Sequence, residues 1–208
     1  MFEKQKKQLM NYWLENRIVK NRGIITAFRR TAREKFVPAH LKEDAYIDAP
    51  LPLMHGQTIS QPSTIAIMLE ALNLKPKLKV LEVGTGSGYN AALIASLVEP
   101  TVVYTVELLP ELAEFAKDNL KRAGIKNVMV FCRDGSKGLK DYAPFDRIIV
   151  TAGAARMPMK LVEQLKPNGI MVVPVGRFTQ EMFRVKKNGK KIKIENLGEF
   201  VFVPLKEG

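Results

Sequence analysis

The 208-residue sequence predicts an α/β fold: a doubly wound, mostly parallel sheet with helices on both faces, a helical N-terminal addition and a C-terminal antiparallel hairpin. Three observations carry that expectation. Between Lys79 and Val175, five short apolar runs alternate with helical patterns, as β-α-β units of a buried parallel sheet do. The first 35 residues hold apolar stripes at helical spacing. Asn188-Gly189, between two strand-like runs, is a strong signal for a tight hairpin turn.

Taken in order, Leu9, Met10, Trp13 and Leu14 share one helical face, and Ile24, Ile25 and Phe28 repeat the stripe. Residues 36–62 are rich in Pro and turn formers and read as ordered but mostly irregular. Ser60 or Gln61 caps the next helix, with Pro62 in its first turn and Ile65, Met68, Leu69 and Leu72 on its buried face. Strands are expected at 79–83, 101–107, 127–132, 145–151 and 170–175. Helices fill the gaps at 89–97, at 110–123 (opened by Pro110 and stopped by Gly124) and from about 158 to 165, ending at Lys-Pro-Asn-Gly. Residues 181–187 and 190–196 form the hairpin, and 200–204 add another strand to the antiparallel edge. The expected organisation is a single domain over 1–208: a helical and irregular cap (1–62), an α/β core that binds the cofactor (63–176), and a hairpin with edge strand (177–208).

Composition excludes several classes of function. No apolar run approaches the ~20 residues that span a bilayer, and the N-terminal stretch lacks the apolar segment of a secretory signal. A cytoplasmic protein with no membrane partner is expected. One cysteine, Cys132, with His40 and His55 cannot form an internal disulfide or a Cys/His zinc site, so no metal is expected. Cys132 reads as a buried strand residue, the nine Met as core filler, and Phe145 and Asp146 as the opening of a strand. The net charge of +12 raises the possibility of a nucleic-acid partner. However, residues 1–35 hold 10 Lys and Arg against 3 Asp and Glu, and residues 184–208 hold 7 against 3, whereas 36–183 are nearly neutral at 16 against 15. The excess therefore reads as a solvated, Lys-rich surface at the two ends. Nothing in the sequence specifies an oligomer, so a monomer is the default.

The chemistry starts at Glu82-Val83-Gly84-Thr85-Gly86-Ser87-Gly88, where glycines let the chain turn sharply off the first strand and let a ligand approach the backbone. Tyr89 stands where a dinucleotide fingerprint has its third glycine, which weakens a dehydrogenase reading. Glu107 ends the second strand, where a carboxylate can accept both hydroxyls of a ribose. Asp134-Gly135 follows the third strand, either as a contact to a base or as a turn with an Asp cap. Glu82, at the mouth of a buried strand, needs a donor or a cation. S-adenosylmethionine offers a sulfonium and an ammonium, whereas a phosphorylated dinucleotide has the opposite sign. No Walker loop is present.

The run VLEVGTGSGYNAALIA resembles the cofactor loop of class I S-adenosylmethionine-dependent methyltransferases. The segment FVP…YIDAPLPLMHGQTISQPSTIAIMLEAL closely resembles protein-L-isoaspartate O-methyltransferases, which methylate the abnormal carboxylate of isoaspartyl residues in damaged proteins. LKPNGIMVVPVG and the closing FVFVPL are similar to the same family, so the resemblance covers about Phe36 to Leu205. It implies a Rossmann-like fold, S-adenosyl-L-methionine as methyl donor, and isoaspartyl-containing proteins and peptides as substrates. Ser60 in TISQP matches the active-site serine, with Ser60, Gln61 and Pro62 on the substrate side. The expected cofactor-binding residues are Thr58, Ile59, Glu82, Gly84, Thr85, Gly86, Ser87, Gly88, Glu107, Leu108, Asp134 and Gly135. Two departures stand out: Arg133 where the family usually has Gly, and Met54-His55 in place of the commoner Ile-Gly. The first 35 residues match least, and no site residue is expected there.

Methyl transfer to a carboxylate suits these residues. The nucleophile, with a pKa near ~4, is ionised at neutral pH and needs no strong base. His40 and His55 accordingly read as structural or surface residues. Alignment of the reacting groups and removal of water must supply the rate, up to ~7–11 kcal/mol in favourable cases. Ser60 at a helix start, with nearby N–H groups, forms a natural carboxylate cradle, or else serves only as a helix cap. A nucleic-acid methyltransferase is the second reading, but Thr151-Ala152-Gly153-Ala154-Ala155 lacks the aromatic that stacks a flipped base. A non-catalytic binding module that docks through its basic ends is the third.

Overall fold

In the computed structural model, which describes residues 2–189 and 191–206, the N-terminal third wraps helices around one face of a sheet. Helix α2 (Arg22–Arg30) buries its expected stripe, Ile24, Ile25 and Phe28, whereas α1 (Phe2–Glu15) buries Met10 and Trp13 but leaves Leu9 partly covered and Leu14 exposed. Asn21 caps α2 by accepting from the Gly23 N–H at 2.8 Å. The irregular segment contains a two-residue ribbon that no sequence pattern announced, β1 (Leu51–Pro52) paired with β2 (Thr58–Ile59). Helix α3 (Pro62–Leu72) starts one residue later than a Ser60 cap requires. Gln61 occupies the cap position without a side-chain hydrogen bond. The cap comes from across the fold: Asp48 accepts from the Ser63 N–H at 2.9 Å and from the Ser63 hydroxyl at 2.6 Å.

The seven-stranded sheet comprises β3 (Val80–Val83), β4 (Val103–Glu107), β5 (Val128–Cys132), β6 (Phe145–Val150), β7 (Leu165–Val175), β8 (Gln180–Asn188) and β9 (Lys191–Phe200). Their order is β5-β4-β3-β6-β7-β8-β9, parallel through β7 and antiparallel after it. Helices α3, α4 (Tyr89–Val98) and α5 (Pro110–Ala123) cover one face, with α2 packed on α3 and α4. This side holds the larger core, in which Trp13 and Phe28 lie edge to face at 4.6 Å. The other face is covered more thinly, by α6 (Met159–Glu163) and by single 3-10 turns at Gly135–Lys137 and Lys140–Tyr142 over Leu81, Val83, Ile148 and Met171.

Four expectations change. The Lys-Pro-Asn-Gly stretch does not stop a long helix: α6 ends at Glu163, and residues 166–169 form a bulge inside β7, with Phe145 opposite Leu165 but Arg147 opposite Ile170. Asn168, at φ 64, makes that detour possible. Residues 201–204 are not an edge strand. The β8–β9 pairing already reaches Phe200, opposite Gln180, and the chain then doubles back over the ends of the parallel strands. There Gly153 N–H donates to Val203 O and Leu205 N–H to Gly153 O, each at 2.8 Å. Cys132 is exposed rather than buried, because β5 is the edge strand and Cys132 its last residue. Of the methionines, Met10, Met68, Met171 and Met182 are core, while Met54, Met129 and Met159 are exposed. The hairpin over 188–191 is present, with Lys190, part of the expected second run, outside the described residues.

Candidate active site

The loops after β3 and β6 leave the sheet toward opposite faces, and a crevice opens between their C-terminal ends. It is a cleft of about 900 Å³, counting space open to solvent. Its floor is Gly84–Ser87, its far end Glu107–Leu109 and Gly135, and its near end Thr58, Ile59, Ser60, Ile65, Met68, Tyr89 and Asn90. The doubled-back segment Val203–Lys206 forms one rim. Among the described residues, its charged wall residues are Glu107 and Lys206. Of the basic residues that make up the excess at the chain ends, only Lys206 lines the cleft among the described residues.

The floor is shaped by close backbone packing. Gly84 has φ +97, and a Cβ there would lie 2.4 Å from the Thr151 hydroxyl. That hydroxyl donates to Gly84 O at 2.7 Å. Gly135 approaches so closely that a Cβ would sit 2.7 Å from Val83 Cγ1. Glu107 is nearly buried, and its carboxylate accepts from Gly86 N–H at 3.0 Å, Leu108 N–H at 2.9 Å and Leu109 N–H at 3.1 Å. Three of its roughly four acceptor sites are thus used, and the one on Oε2 remains for a ligand hydroxyl. The expected grip on both hydroxyls of a diol would require sharing.

Glu82 does not line the cleft. It lies beneath the floor, fully buried, with Asn90 Nδ2 donating to Oε1 at 2.7 Å and Thr105 Oγ1 to Oε2 at 2.5 Å. Burial, and to a smaller extent the Glu107 charge, pushes its pKa up to about 7 despite these donors. Between pH 4.5 and 7 the folded chain therefore holds this proton more tightly than the unfolded chain. Glu82's contribution to stability is full below about pH 4.5 and falls by about 3 kcal/mol as pH rises through 7. Glu82→Gln is expected to flatten that fall and to raise the melting temperature at pH 8. Equal pH profiles for the two proteins in thermal melts would refute it.

The other expected residues divide. Gly88 packs against Ala116 and Leu120 behind the loop, off the cleft. Asp134 caps its turn, accepting from Ser136 N–H at 2.8 Å and pairing with Lys137 at 3.0 Å, so the capping alternative describes it. The half-exposed Arg133 side chain lies 4.0 Å from Asp141 and does not line the cleft. Ser60 faces the cleft and also an adjoining hollow of about 380 Å³, together with Pro50, Thr58, Gln61, Thr64, Thr151 and the 201–203 segment. Pro62 is buried and lines neither. The expected N–H cradle at the start of α3 is not free, because Pro62 has no N–H and Asp48 takes that of Ser63. His40 is exposed, and His55 lies at the surface 3.6 Å from Glu111.

Sequence reasoning missed the residues that hold Ser60 in place, and these come from the N-terminal segment. Arg33, fully buried, donates from Nε to Ala45 O at 2.7 Å and from Nη2 to Ser60 O at 2.9 Å, with its guanidinium over the Tyr89 ring. Burial lowers its pKa to about 10. Trp13 donates to the Ser63 hydroxyl at 2.6 Å, which in turn donates to Asp48. Helix α1 is thereby tied to the start of α3. A lone Arg in a basic stretch gives no signal of burial, so only the fold reveals this role.

Residues 4–208 match the family model described as protein-L-isoaspartate(D-aspartate) O-methyltransferase. The chain is 50% identical to a protein-L-isoaspartate O-methyltransferase of Pyrococcus horikoshii over 208 residues, covering 99% of this chain and 94% of that protein. It is 52% identical to the protein of the same name from Methanocella arvoryzae over 177 residues, covering 85% and 94%. Among solved structures it superposes on a Plasmodium falciparum protein-L-isoaspartate O-methyltransferase in complex with S-adenosyl-L-homocysteine, with TM-score 0.86 and 27% identity over 97% of this chain and 98% of the other. Among the described residues, no group of three or more His, Cys, Asp or Glu could hold a metal, and no helix is long and apolar enough to cross a membrane.

Proposed function

The chain belongs to the protein-L-isoaspartate(D-aspartate) O-methyltransferase family, and from that premise we propose how its residues transfer the methyl group of S-adenosyl-L-methionine to the free carboxylate of L-isoaspartyl residues in damaged proteins and peptides. The products are the methyl ester and S-adenosylhomocysteine. One observation carries the assignment: the Ser60 hydroxyl, which has no protein partner among the described residues, meets the glycine floor and Glu107 in one cleft. The cleft fits the cofactor, because the open acceptor on Glu107 suits a ribose hydroxyl and the tight turn at Gly135 leaves room for a base. Thr58, Ile59, Thr85, Ser87 and Leu108 complete the wall. When bound, the cofactor supplies an electrophilic methyl on a positively charged sulfur.

This chain's residues do the positioning. The substrate peptide lies in the hollow beside Ser60, with Gln61 and Thr64 offering hydrogen bonds to its backbone. The Ser60 hydroxyl donates to the substrate carboxylate and holds it in line, and Val203–Lys206 with Ile59 exclude water. No base is required of the protein, in keeping with His40 and His55 standing apart. Residues 1–62 act as the cap that carries Ser60, 63–176 as the cofactor-binding core, and 177–208 as the hairpin and rim. On this reading the enzyme works in a reducing compartment, the cytoplasm, where a single unpaired cysteine is at home. With the basic residues mostly outside the cleft, it acts as a monomer without nucleic acid.

Ser60→Ala is expected to fold and to bind cofactor while turnover drops at least about tenfold, equivalent to ~1.4 kcal/mol. Unchanged turnover removes Ser60 from the mechanism. The activity itself is tested by transfer from labelled S-adenosylmethionine to paired isoaspartyl and aspartyl peptides. Absence of preference for the isoaspartyl member overturns the assignment.

A further inference from the structure

The two most exposed large apolar side chains among the described residues stand at the same end of the β8–β9 pair, next to the hollow that Ser60 faces. Phe178, in the turn between β7 and β8, is 93% exposed, and Val201, just past β9, is 81% exposed. Single apolar side chains at a surface are ordinary. A neighbouring pair at the edge of a binding hollow, covered by nothing in the chain, is not.

Gln180 fixes both in place. It is buried at the first position of β8, opposite Phe200. Its Nε2 donates to Phe178 O at 3.3 Å, and its Oε1 accepts from Phe202 N–H at 2.7 Å. One side-chain amide therefore joins the turn that carries Phe178 to the segment that carries Val201. Phe200 and Phe202 pack against the core on either side of Val201, whose own side chain is left in water. The backbone beneath the pair is thus set before any partner arrives, which lowers the ordering cost of binding.

What the pair meets follows from where it sits. Val201 lines the hollow together with Ser60, Gln61 and Thr64. Pro50, also exposed, gives the same hollow a second apolar lip. An extended chain rises about 3.3 Å per residue, so the three residues beside one held at Ser60 span ~10 Å, enough to cross the lip at Val201 toward Phe178. Resting on the substrate reading above, we propose that Phe178 and Val201 form a docking patch for an apolar side chain flanking the isoaspartyl residue. The occupant is an extended segment of an unfolded polypeptide, whose core side chains are in water and gain by covering the patch. The patch determines specificity and takes no part in the methyl transfer.

Steady-state transfer by the full-length protein to a peptide set tests this. Each isoaspartyl peptide carries Phe or Ser at one of the three positions on either side, and each has an aspartyl twin. At one position or more, Phe is expected to lower KM about fivefold or more relative to Ser, with kcat within about twofold. Phe178→Ser is expected to shrink that ratio below about twofold, with cofactor Kd, melting temperature and transfer to the all-Ser peptide unchanged. Val201→Ser is expected to shrink the ratio as well, and both side chains are too exposed for folding to depend on them. A wild type indifferent to Phe at every position overturns the proposal, as does a preference that survives both substitutions. Self-association in sedimentation that Phe178→Ser abolishes gives the patch to a second copy of the chain and overturns it too. Equal transfer to isoaspartyl and aspartyl twins, whatever the flanking residue, overturns the underlying substrate reading instead.

Discussion

Gly84→Ala is expected to abolish useful cofactor affinity, weakening S-adenosylhomocysteine at least about 100-fold, and to lower the melting temperature by on the order of 10 °C. Two costs combine. An L-residue at φ +97 carries about 1–3 kcal/mol of backbone strain. The new Cβ, 2.4 Å from Thr151 Oγ1, also forces that hydroxyl away from Gly84 O and Val83 O, which share its one proton, at about 1 kcal/mol. These are the atoms that hold the cleft floor, so the distortion is felt where the ligand lies. Gly86→Ala is the control: φ is +55, a region that L-residues do visit, and no atom lies within 4 Å of the new Cβ. Its effect is limited to about 1–2 kcal/mol of conformational cost. If Gly84→Ala binds as well as Gly86→Ala in calorimetry, contact with Thr151 is not what fixes the floor.

Arg33→Met, which roughly keeps volume, is expected to cost turnover far more than it costs stability. Removing the cation relieves the burial that depresses its pKa to about 10, a gain of about 3 kcal/mol. Against this, Ala45 O and Ser60 O lose their donors, at about 1–3 kcal/mol each, and the stacking over Tyr89 is lost. The two sides nearly offset, and the net destabilisation is about 1–3 kcal/mol. Ser60, however, is no longer held from behind. Because a displacement near 1 Å at a reacting group can cost about 100-fold, kcat is expected to fall about 10- to 100-fold with cofactor Kd little changed. A matching loss of cofactor affinity would place the effect in the core instead of at Ser60, and full retention of kcat would refute the role.

Much of this protein was legible before folding. The strand and helix periods located the parallel sheet, because a strand buried on both faces must be apolar and its crossover must be a helix. The boundaries of α5 followed from Pro110 and Gly124, whose backbone preferences are local. The glycine loop and Glu107 were readable for the same reason: a tight turn and a strand-end acid leave their mark within a few residues. The 201–204 run looked like a strand because its apolar content is that of one. Its partner is Gly153, some 50 residues earlier, and pairing over that distance leaves no trace in local pattern.

What the sequence determined by itself is the fold class, the glycine turn after β3 and the acid at the end of β4, because these rest on backbone conformations and periods encoded over a few residues, whereas the role expected of Ser60 in TISQP came from the family resemblance. What only the tertiary structure decided is how the site is held. Glu82 is turned inward to Asn90 and Thr105 instead of facing the cleft, Asp48 caps α3 in place of Ser60, and Arg33 reaches from the basic N-terminal segment to the carbonyl of Ser60. Each is a hydrogen bond that a buried polar group must make with whatever the fold brings near, and that partner is set by packing in three dimensions, not by neighbours along the chain.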